Sequence, residues 1–214
     1  MMMRTEAPTA PDRECPLCPR LVAFRAASRQ EHPEWHNAPV PSFGPLNARF
    51  LVVGLAPGLR GANCTGRPFT GDHAGTLLYP TLAAFGLAEG TYEARPDDGF
   101  TLINCRVSNA ARCVPPANRP LPAELTACRP FLVAEMAAMP NLHGLLALGH
   151  HAHGQILAAL GLRRSAFVFG HGVRHALPDG RVLVDSYHCS RYNTNTGRLT
   201  PAMFEAAVQT LIAG

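Results

Sequence analysis

The segment Phe50-Leu-Val-Val-Gly-Leu-Ala-Pro-Gly58 joins an apolar run to a glycine- and proline-rich loop that continues to Gly75. The run Phe50–Val53 is short and wholly apolar, which is typical of a buried parallel strand. The loop after it carries one acidic side chain, Asp72, and one aromatic ring, Phe69. Its glycines and prolines disfavour regular structure yet keep the backbone stiff. One carboxylate and one ring on a rigid loop after a buried strand indicate a binding pocket.

Further apolar runs alternate with helical patterns along the rest of the chain. The predicted strands are Phe50–Gly54, Phe100–Asn104, Gly144–Gly149, Val182–Asp185 and, as a shorter candidate, Ala166–Phe169. The predicted helices are His73–Gly86, Pro122–Met139, His150–Leu160 and Pro201–Ile212. This alternation is typical of an α/β protein with a mainly parallel sheet and helices on both faces. Ligands of such sheets bind beyond the carboxyl ends of the strands, where the loops after Val53, Asn104 and Asp185 meet.

Composition limits the classes of protein that this chain fits. Its 214 residues suit one domain, predicted over 15–214 after a disordered leader over 1–14. No apolar segment suits a membrane span or a secretory signal, so we expect a cytoplasmic protein without a membrane partner. The net charge is +4, and all nineteen basic residues are arginine. Without lysine, no side-chain amine can form a Schiff base.

Two pairs of cysteines have the spacing of metal ligands. Cys15-Pro-Leu-Cys18 lets two thiolates face one centre, and a stiff proline-rich loop joins Cys113 to Cys128. Four thiolates suit tetrahedral zinc or one iron–sulfur cluster, and the spacing does not distinguish the two. Of the remaining cysteines, Cys105 is interpreted as a small buried hydrophobe.

Cys64 and Cys189 lie in the loops of the predicted pocket. A nucleophilic Cys189 would need an activating base. His188 adjoins it, but neighbouring side chains on an extended chain point apart. We therefore do not assign Cys189 a catalytic role.

Asn109 and His188 follow two other predicted strands. An asparagine amide matches the amide–carbonyl edge of a nucleobase, and the alternative is a residue that forms a turn or caps a helix. His188 lies in the polar loop Ser186–Gly197, directly after a predicted central strand. The other histidines near these segments are interpreted as surface or structural residues: His150, His151, His153, His171 and His175.

Four segments together resemble the uracil-DNA glycosylase superfamily and, more narrowly, its iron–sulfur-containing family 5, the UDGb type. They are Gly54-Leu-Ala-Pro-Gly58, Arg67-Pro-Phe-Thr-Gly-Asp72, Ser108-Asn-Ala-Ala-Arg-Cys113 followed by Pro-Pro, and Ser186-Tyr-His-Cys-Ser-Arg-Tyr-Asn-Thr194. The likeness runs from about Cys15 to about Thr200, and the motifs have the family's order. Leu55 is what family 5 members show, whereas related families carry an acidic or amide residue at this position.

The resemblance implies a three-layer α/β/α sandwich with a central, mainly parallel four-stranded sheet. It also implies a [4Fe–4S] cluster on four cysteines: Cys15, Cys18, Cys113 and Cys128. The implied activity is monofunctional excision of uracil, and of other deaminated bases such as hypoxanthine or xanthine, by a monomer in base excision repair. The partner is DNA that contains such a base.

Individual roles also follow from the resemblance. Asp72, His188 and Asn109 are the implied catalytic residues. The implied substrate-binding residues are Gly54, Leu55, Ala56, Gly58, Phe69, Asn109 and His188, with Phe69 stacked on the flipped base. DNA contacts are expected from Arg60, Arg67, Arg191 and Tyr192, and either Arg191 or Tyr192 is the candidate wedge that fills the vacated space in the duplex.

Two other functions are considered from the residues themselves. A non-enzymatic cysteine-metal module that binds nucleic acid would explain the cysteines but would not need an acid-bearing pocket loop. A hydrolase of nucleotides or esters would fit the fold class, yet the chain has neither a Gly-x-Ser-x-Gly elbow nor a phosphate-binding lysine motif.

Overall fold

A computed structural model describes residues 9–213 of the chain. Its α-helices are α1 (Pro19–Glu31), α2 (Ala62–Thr65), α3 (Gly75–Ala84), α4 (Pro122–Ala137), α5 (His150–Ala159), α6 (Arg191–Asn195) and α7 (Pro201–Ile212). Its strands are β1 (Phe50–Gly54), β2 (Ala88–Glu89), β3 (Thr101–Leu102), β4 (Cys105–Asn109), β5 (Gly144–Leu148), β6 (Arg174–Ala176) and β7 (Val182–Ser186). Of the leader predicted over residues 1–14, residues 1–8 lie outside the described residues.

The main sheet has the strand order β4-β1-β5-β7-β6. The first four strands are parallel, and β6 pairs with β7 in the antiparallel direction at the edge. This confirms the predicted α/β architecture with a mainly parallel central sheet. The expected count of four strands holds for the parallel part only, because the short strand β6 adds a fifth. Among the described residues, no helix is both long and apolar enough to cross a membrane.

Both faces of the sheet are buried, as the continuous apolar run of β1 predicts. Phe50 and Val52 belong to a core shared with α3 and α7, whereas Leu51 and Val53 belong to a core shared with α4 and α5. Alternate residues of a strand point to opposite faces, so a strand covered on both sides must be apolar throughout. The helices therefore sandwich the sheet and leave the carboxyl edge of its parallel strands to the loops.

The predicted strand Phe100–Asn104 is wrong in its position. The strand beside β1 is β4, in which Cys105 pairs with Phe50, and Thr101–Leu102 instead pairs with β2 in a small separate sheet. Asn104 interrupts the run because it adopts a left-handed φ of 53° and accepts a hydrogen bond from the Arg49 N–H at 3.0 Å.

The shorter candidate strand Ala166–Phe169 is also wrong. A 3₁₀ turn covers Arg164–Ala166, and the edge strand forms later, at β6. The other predicted elements agree with the structure to within a few residues at their ends, and α7 agrees at both ends.

Candidate functional site

A cleft of about 540 Å³ opens at the carboxyl edge of the parallel strands. The loops after β1, β4, β5 and β7 contribute to it. Its lining includes Leu55, Ala56, Pro57, Gly58, Phe69, Asp72, His73, Asn109, Asn118, Phe169, Tyr187, His188, Ser190, Arg191, Asn193 and Arg198. The structure therefore brings together most of the residues that the sequence analysis predicts for the base pocket, and Gly54 lies directly beneath them at the end of β1.

Gly54 allows two of these side chains to approach each other. A methyl group at this position would overlap the Phe69 ring and would lie 2.5 Å from Oδ1 of Asn109. Phe69 itself has a left-handed φ of 53°, which is a rare conformation for an aromatic residue. The Tyr92 hydroxyl fixes this turn by donating a hydrogen bond of 3.0 Å to the Phe69 carbonyl. The ring is thus held rigidly as one wall of the cleft.

Asn109 presents an unpaired acceptor to this cleft. The residue ends β4 and is only 3% exposed. Among the described residues, no donor reaches its buried Oδ1 atom. Buried polar atoms nearly always have a partner, so an isolated one beside a cleft indicates a ligand that supplies the donor.

Asp72 combines a structural contact with a free oxygen. Its Oδ1 accepts hydrogen bonds from the backbone N–H groups of Ala74 (3.0 Å) and Gly75 (3.3 Å), at the start of α3. No hydrogen bond within the described residues engages Oδ2. Burial raises the pKa of this carboxyl, and the two backbone hydrogen bonds act in the opposite direction. The carboxylate is therefore fixed in orientation and only partly solvated, with one oxygen available to a ligand.

His188 faces Phe69 across the cleft, with 6.1 Å between the ring centroids. Burial lowers the pKa of His188 to about 4. The imidazole is therefore neutral near pH 7 and carries one N–H that can donate a hydrogen bond without a positive charge. Asn193 of α6 donates a hydrogen bond of 2.8 Å to the His188 carbonyl, which fixes this loop.

A buried cluster supports β7, the strand that precedes His188. Asp185 in β7 contacts Nδ1 of His153 at 2.7 Å and Nε2 of His175 at 3.0 Å. The second ring nitrogen of His153 lies 2.9 Å from the Phe167 carbonyl. These three groups satisfy one another beneath the cleft, in agreement with the structural interpretation of the two histidines.

The four predicted DNA contacts differ in where they lie. Arg191 lines the cleft, and Tyr192 beside it is 71% exposed. Arg60 is exposed on the turn before α2 and is not part of the lining. These three positions remain compatible with a DNA contact.

Arg67 is a structural residue, which corrects the expectation that it contacts DNA. It is 6% exposed, and its guanidinium forms two hydrogen bonds of 2.8 Å with Asp98. A third guanidinium nitrogen, Nε, donates to the Thr70 hydroxyl at 2.8 Å. The contact with Arg67 holds the pKa of the Asp98 carboxyl well below its ordinary value. This ion pair ties the pocket loop to the segment before β3.

Several residues of the cleft are not among the predicted site residues. Tyr187 and Arg198 are on its wall, and Asn118 comes from the proline-rich loop between Cys113 and Cys128. Tyr187 lies within the polar loop Ser186–Gly197 and Arg198 directly follows it, so the sequence carries a signal for both. The sequence carries no signal for Asn118, because only the tertiary structure brings its loop to the cleft.

The cysteines fall into two groups in the structure. Cys15, Cys18, Cys113 and Cys128 line one small cavity between α1 and α4, and we call them the cysteine cradle. Cys189 is fully buried, and burial raises the pKa of its thiol far above the ordinary value. A protonated, buried thiol is a poor nucleophile, so the structure agrees with a non-catalytic Cys189.

Two donors point at sulfur atoms of the cysteine cradle. The Arg25 guanidinium lies 3.4 Å from Sγ of Cys113, and the backbone N–H of Arg112 lies 3.3 Å from Sγ of Cys128. Apolar side chains complete the wall, among them Leu17, Leu21 and Phe131. Such surroundings suit thiolates that share a positively charged metal group.

Comparisons with known proteins agree with this geometry. The family profile described as "Uracil DNA glycosylase superfamily" matches residues 41–212. The chain is 48% identical over 197 residues to the Type-5 uracil-DNA glycosylase of Thermus thermophilus, and the match covers 89% of each chain. It is 40% identical to the protein of the same name from Pyrobaculum aerophilum, over 87% of this chain and 82% of the relative. A third Type-5 uracil-DNA glycosylase, from Mycobacterium bovis, is 39% identical over 89% of this chain and 74% of its own length. The resemblance seen in the motifs is confirmed, and the chain belongs to the uracil DNA glycosylase superfamily.

Proposed function

We propose that this protein is a monofunctional DNA glycosylase that hydrolyses the N-glycosidic bond of deoxyuridine in base excision repair. The observation that carries the proposal is the unpaired, buried Oδ1 of Asn109 in a cleft that also contains Asp72, His188 and Phe69. The three relatives compared above bear the name of this activity. A non-enzymatic metal module would account for the cysteine cradle alone and would leave this cleft unexplained.

Recognition of uracil follows from its hydrogen-bonding edge. The N3–H of uracil supplies the donor that Asn109 Oδ1 lacks, and the amide nitrogen can donate to a neighbouring carbonyl of the base. Cytosine has an acceptor at N3, so it would leave Asn109 Oδ1 unpaired at a cost of about 1–3 kcal/mol. Stacking on Phe69 returns about 1–3 kcal/mol of the free energy spent in flipping the base.

The reaction places positive charge on the sugar and negative charge on the base, and the cleft contains a group that can stabilise each of these charges. When the bond between C1′ and the base breaks, the electron pair leaves with the base and positive charge develops on the sugar. The neutral His188 donates its N–H to the base oxygen that gains charge, while the Asp72 carboxylate stabilises the sugar cation. Water then bonds to C1′, and its proton passes to Asp72 or to solvent. Leu55 cannot orient this water, so the task falls to Asp72.

We also propose that the cysteine cradle holds a [4Fe–4S] cluster. Four thiolates, an adjacent guanidinium and a backbone N–H donor fit such a group. The donor set suits zinc as well as a cluster, and the choice of the cluster rests on the resemblance to family 5. When bound, the cluster would join α1 to α4 and to the segment that follows Asn109.

Three finer points belong to the same proposal. Hypoxanthine and xanthine are proposed as further substrates because the resemblance to family 5 implies them. The protein is proposed to act as a monomer on DNA. The cytoplasmic location expected from the sequence stays a prediction.

Replacing Gly54 by alanine is expected to reduce the excision rate by about 100-fold. The added methyl group must displace the Phe69 ring or the Asn109 amide, and a shift of about 1 Å at such groups is enough for a loss of this size. Gly154→Ala in α5 is the matched control, because the three atoms nearest its methyl group all belong to the guanidinium of the exposed Arg164, which can move. Equal excision rates for the two variants would contradict the assigned pocket.

Borohydride is expected to trap no covalent adduct between this protein and uracil-containing DNA. The chain has no lysine, so a side-chain Schiff base with the abasic sugar cannot form. The measurement is electrophoresis of the reaction products under denaturing conditions, with a known bifunctional glycosylase as the positive control. Efficient trapping that persists after the N-terminal amine is blocked would refute the monofunctional mechanism.

A further inference from the structure

Arg198 is held at the wall of the cleft by an aromatic stack rather than by an acid. Its guanidinium carbon lies 4.6 Å from the centroid of the Tyr187 ring. Tyr187 in turn stacks on His171, with 4.9 Å between centroids and 14° between planes. The Tyr187 backbone N–H donates a hydrogen bond of 3.1 Å to Nδ1 of His171. The planar cation therefore rests on a platform that is itself fixed.

The guanidinium of Arg198 has its hydrogen-bonding capacity free. Within residues 9–213, no hydrogen bond or ion pair engages this side chain, which is exposed. Other arginines of the chain are used differently: Arg67 pairs with Asp98, and Arg106 pairs with Glu135 at 2.7 Å. Among the residues that the structure describes, the one carboxylate that lines the cleft is Asp72, and it forms no ion pair with Arg198. Arg198 thus offers up to five N–H donors and a full charge to whatever enters the cleft.

We infer that Arg198 binds a backbone phosphate of the DNA strand that carries the flipped nucleotide. This inference rests on the proposed function, because it takes DNA as the occupant of the cleft. A planar guanidinium matches two phosphate oxygens, and stacking on Tyr187 presets its orientation. Asn109 and His188 already provide the proposed hydrogen bonds to the base edge. Arg198, in contrast, is exposed. Tyr187 and His171 are positioning residues for this contact.

The test compares Arg198→Gln, Arg198→Lys and Arg49→Gln. Arg49 is the matched control, since it is exposed and precedes β1 at the opposite edge of the sheet. Binding is measured by fluorescence anisotropy with a duplex that contains an uncleavable abasic-site analogue, over a range of salt concentrations. KM and kcat are measured separately with a uracil-containing duplex.

Arg198→Gln is expected to weaken binding about tenfold at moderate salt and to reduce the slope of log affinity against log salt by about 1. Arg198→Lys keeps the slope but loses part of the affinity, because an ammonium cannot form the planar, two-pronged contact. In the kinetic measurements, the loss of affinity should appear mainly as a higher KM for Arg198→Gln and Arg198→Lys. Arg49→Gln should keep the wild-type slope.

The outcomes separate this inference from the proposed function. If the wild-type protein excises uracil and Arg198→Gln keeps the wild-type affinity and slope, the inference is overturned. A fall in kcat without a change in slope would also overturn it, since Arg198 would then act on the base or the reacting atoms. If the wild-type protein excises nothing while Arg198→Gln still lowers the slope, the phosphate contact stands and the proposed function fails.

Discussion

Asp72→Asn is expected to lower the single-turnover rate of uracil excision by about 10²–10³-fold. Asparagine has nearly the same shape as aspartate, and its Oδ1 can still accept the hydrogen bonds from Ala74 and Gly75. The variant therefore keeps the start of α3 and loses only the negative charge. Without that charge, nothing among the described residues that line the cleft balances the developing sugar cation, because Asp72 is the only carboxylate there.

The control for Asp72→Asn is Asp97→Asn, which removes a carboxylate at an exposed position outside the cleft. Binding to a duplex with an uncleavable abasic-site analogue is measured for both variants. Asp72→Asn should bind this duplex about as well as the wild-type protein while losing most of the excision rate. An Asp72→Asn variant that excises uracil at nearly the wild-type rate would refute the role assigned to this carboxylate.

Cys113→Ala is expected to remove the iron and to lower the unfolding temperature by about 10 °C, which corresponds to about 4 kcal/mol for a chain of this length. Cys113 lies four residues after Asn109, and the cysteine cradle connects this segment with α1 and α4. Losing one ligand should therefore weaken base binding as well as stability. Iron content, visible absorbance and thermal unfolding of anaerobically purified protein are the measurements.

Cys64→Ala is the matched control, because Cys64 is a partly buried cysteine outside the cradle. It should keep the iron content of the wild-type protein. Zinc without iron in the wild-type protein would contradict the proposed cluster. An unchanged iron content in Cys113→Ala would contradict the assignment of Cys113 as a ligand.

The elements that could be predicted from the sequence are those whose apolar residues indicate that they are buried. Strands β1 and β5 are continuous apolar runs, β7 begins with the apolar run Val182–Val184, and α7 begins with a proline at its first turn. Strand β4 contains Arg106 and Ser108, which look exposed in the sequence. Both are satisfied by the buried Glu135, at 2.7 Å and 2.8 Å. Local sequence patterns do not report so distant a partner, so the sequence predicts a strand over Phe100–Asn104 instead of β4.

The candidate site shows the same division. Asp72, Asn109 and His188 could be predicted as site residues because each lies in a segment that follows a predicted strand and resembles a family motif, and all three line the cleft. Arg67 was misassigned as a DNA contact because its partner, Asp98, lies 31 residues away in the sequence. The stack of Arg198 on Tyr187 depends on the path of the chain around α6. The hydrophobic periodicity of the sequence does not predict this path. Motifs therefore predict which side chains meet at the cleft, while the fold determines which charges remain free.

Incubation with a duplex that contains a single uracil, followed by alkali, tests the central claim most directly. Excision leaves an abasic sugar, and alkali breaks the strand at that position. We predict scission at the uracil after alkali, no scission without it, and none in the same duplex with thymine in place of uracil. An intact strand after alkali, with protein whose cysteine cradle is fully loaded with iron, would contradict the proposed function.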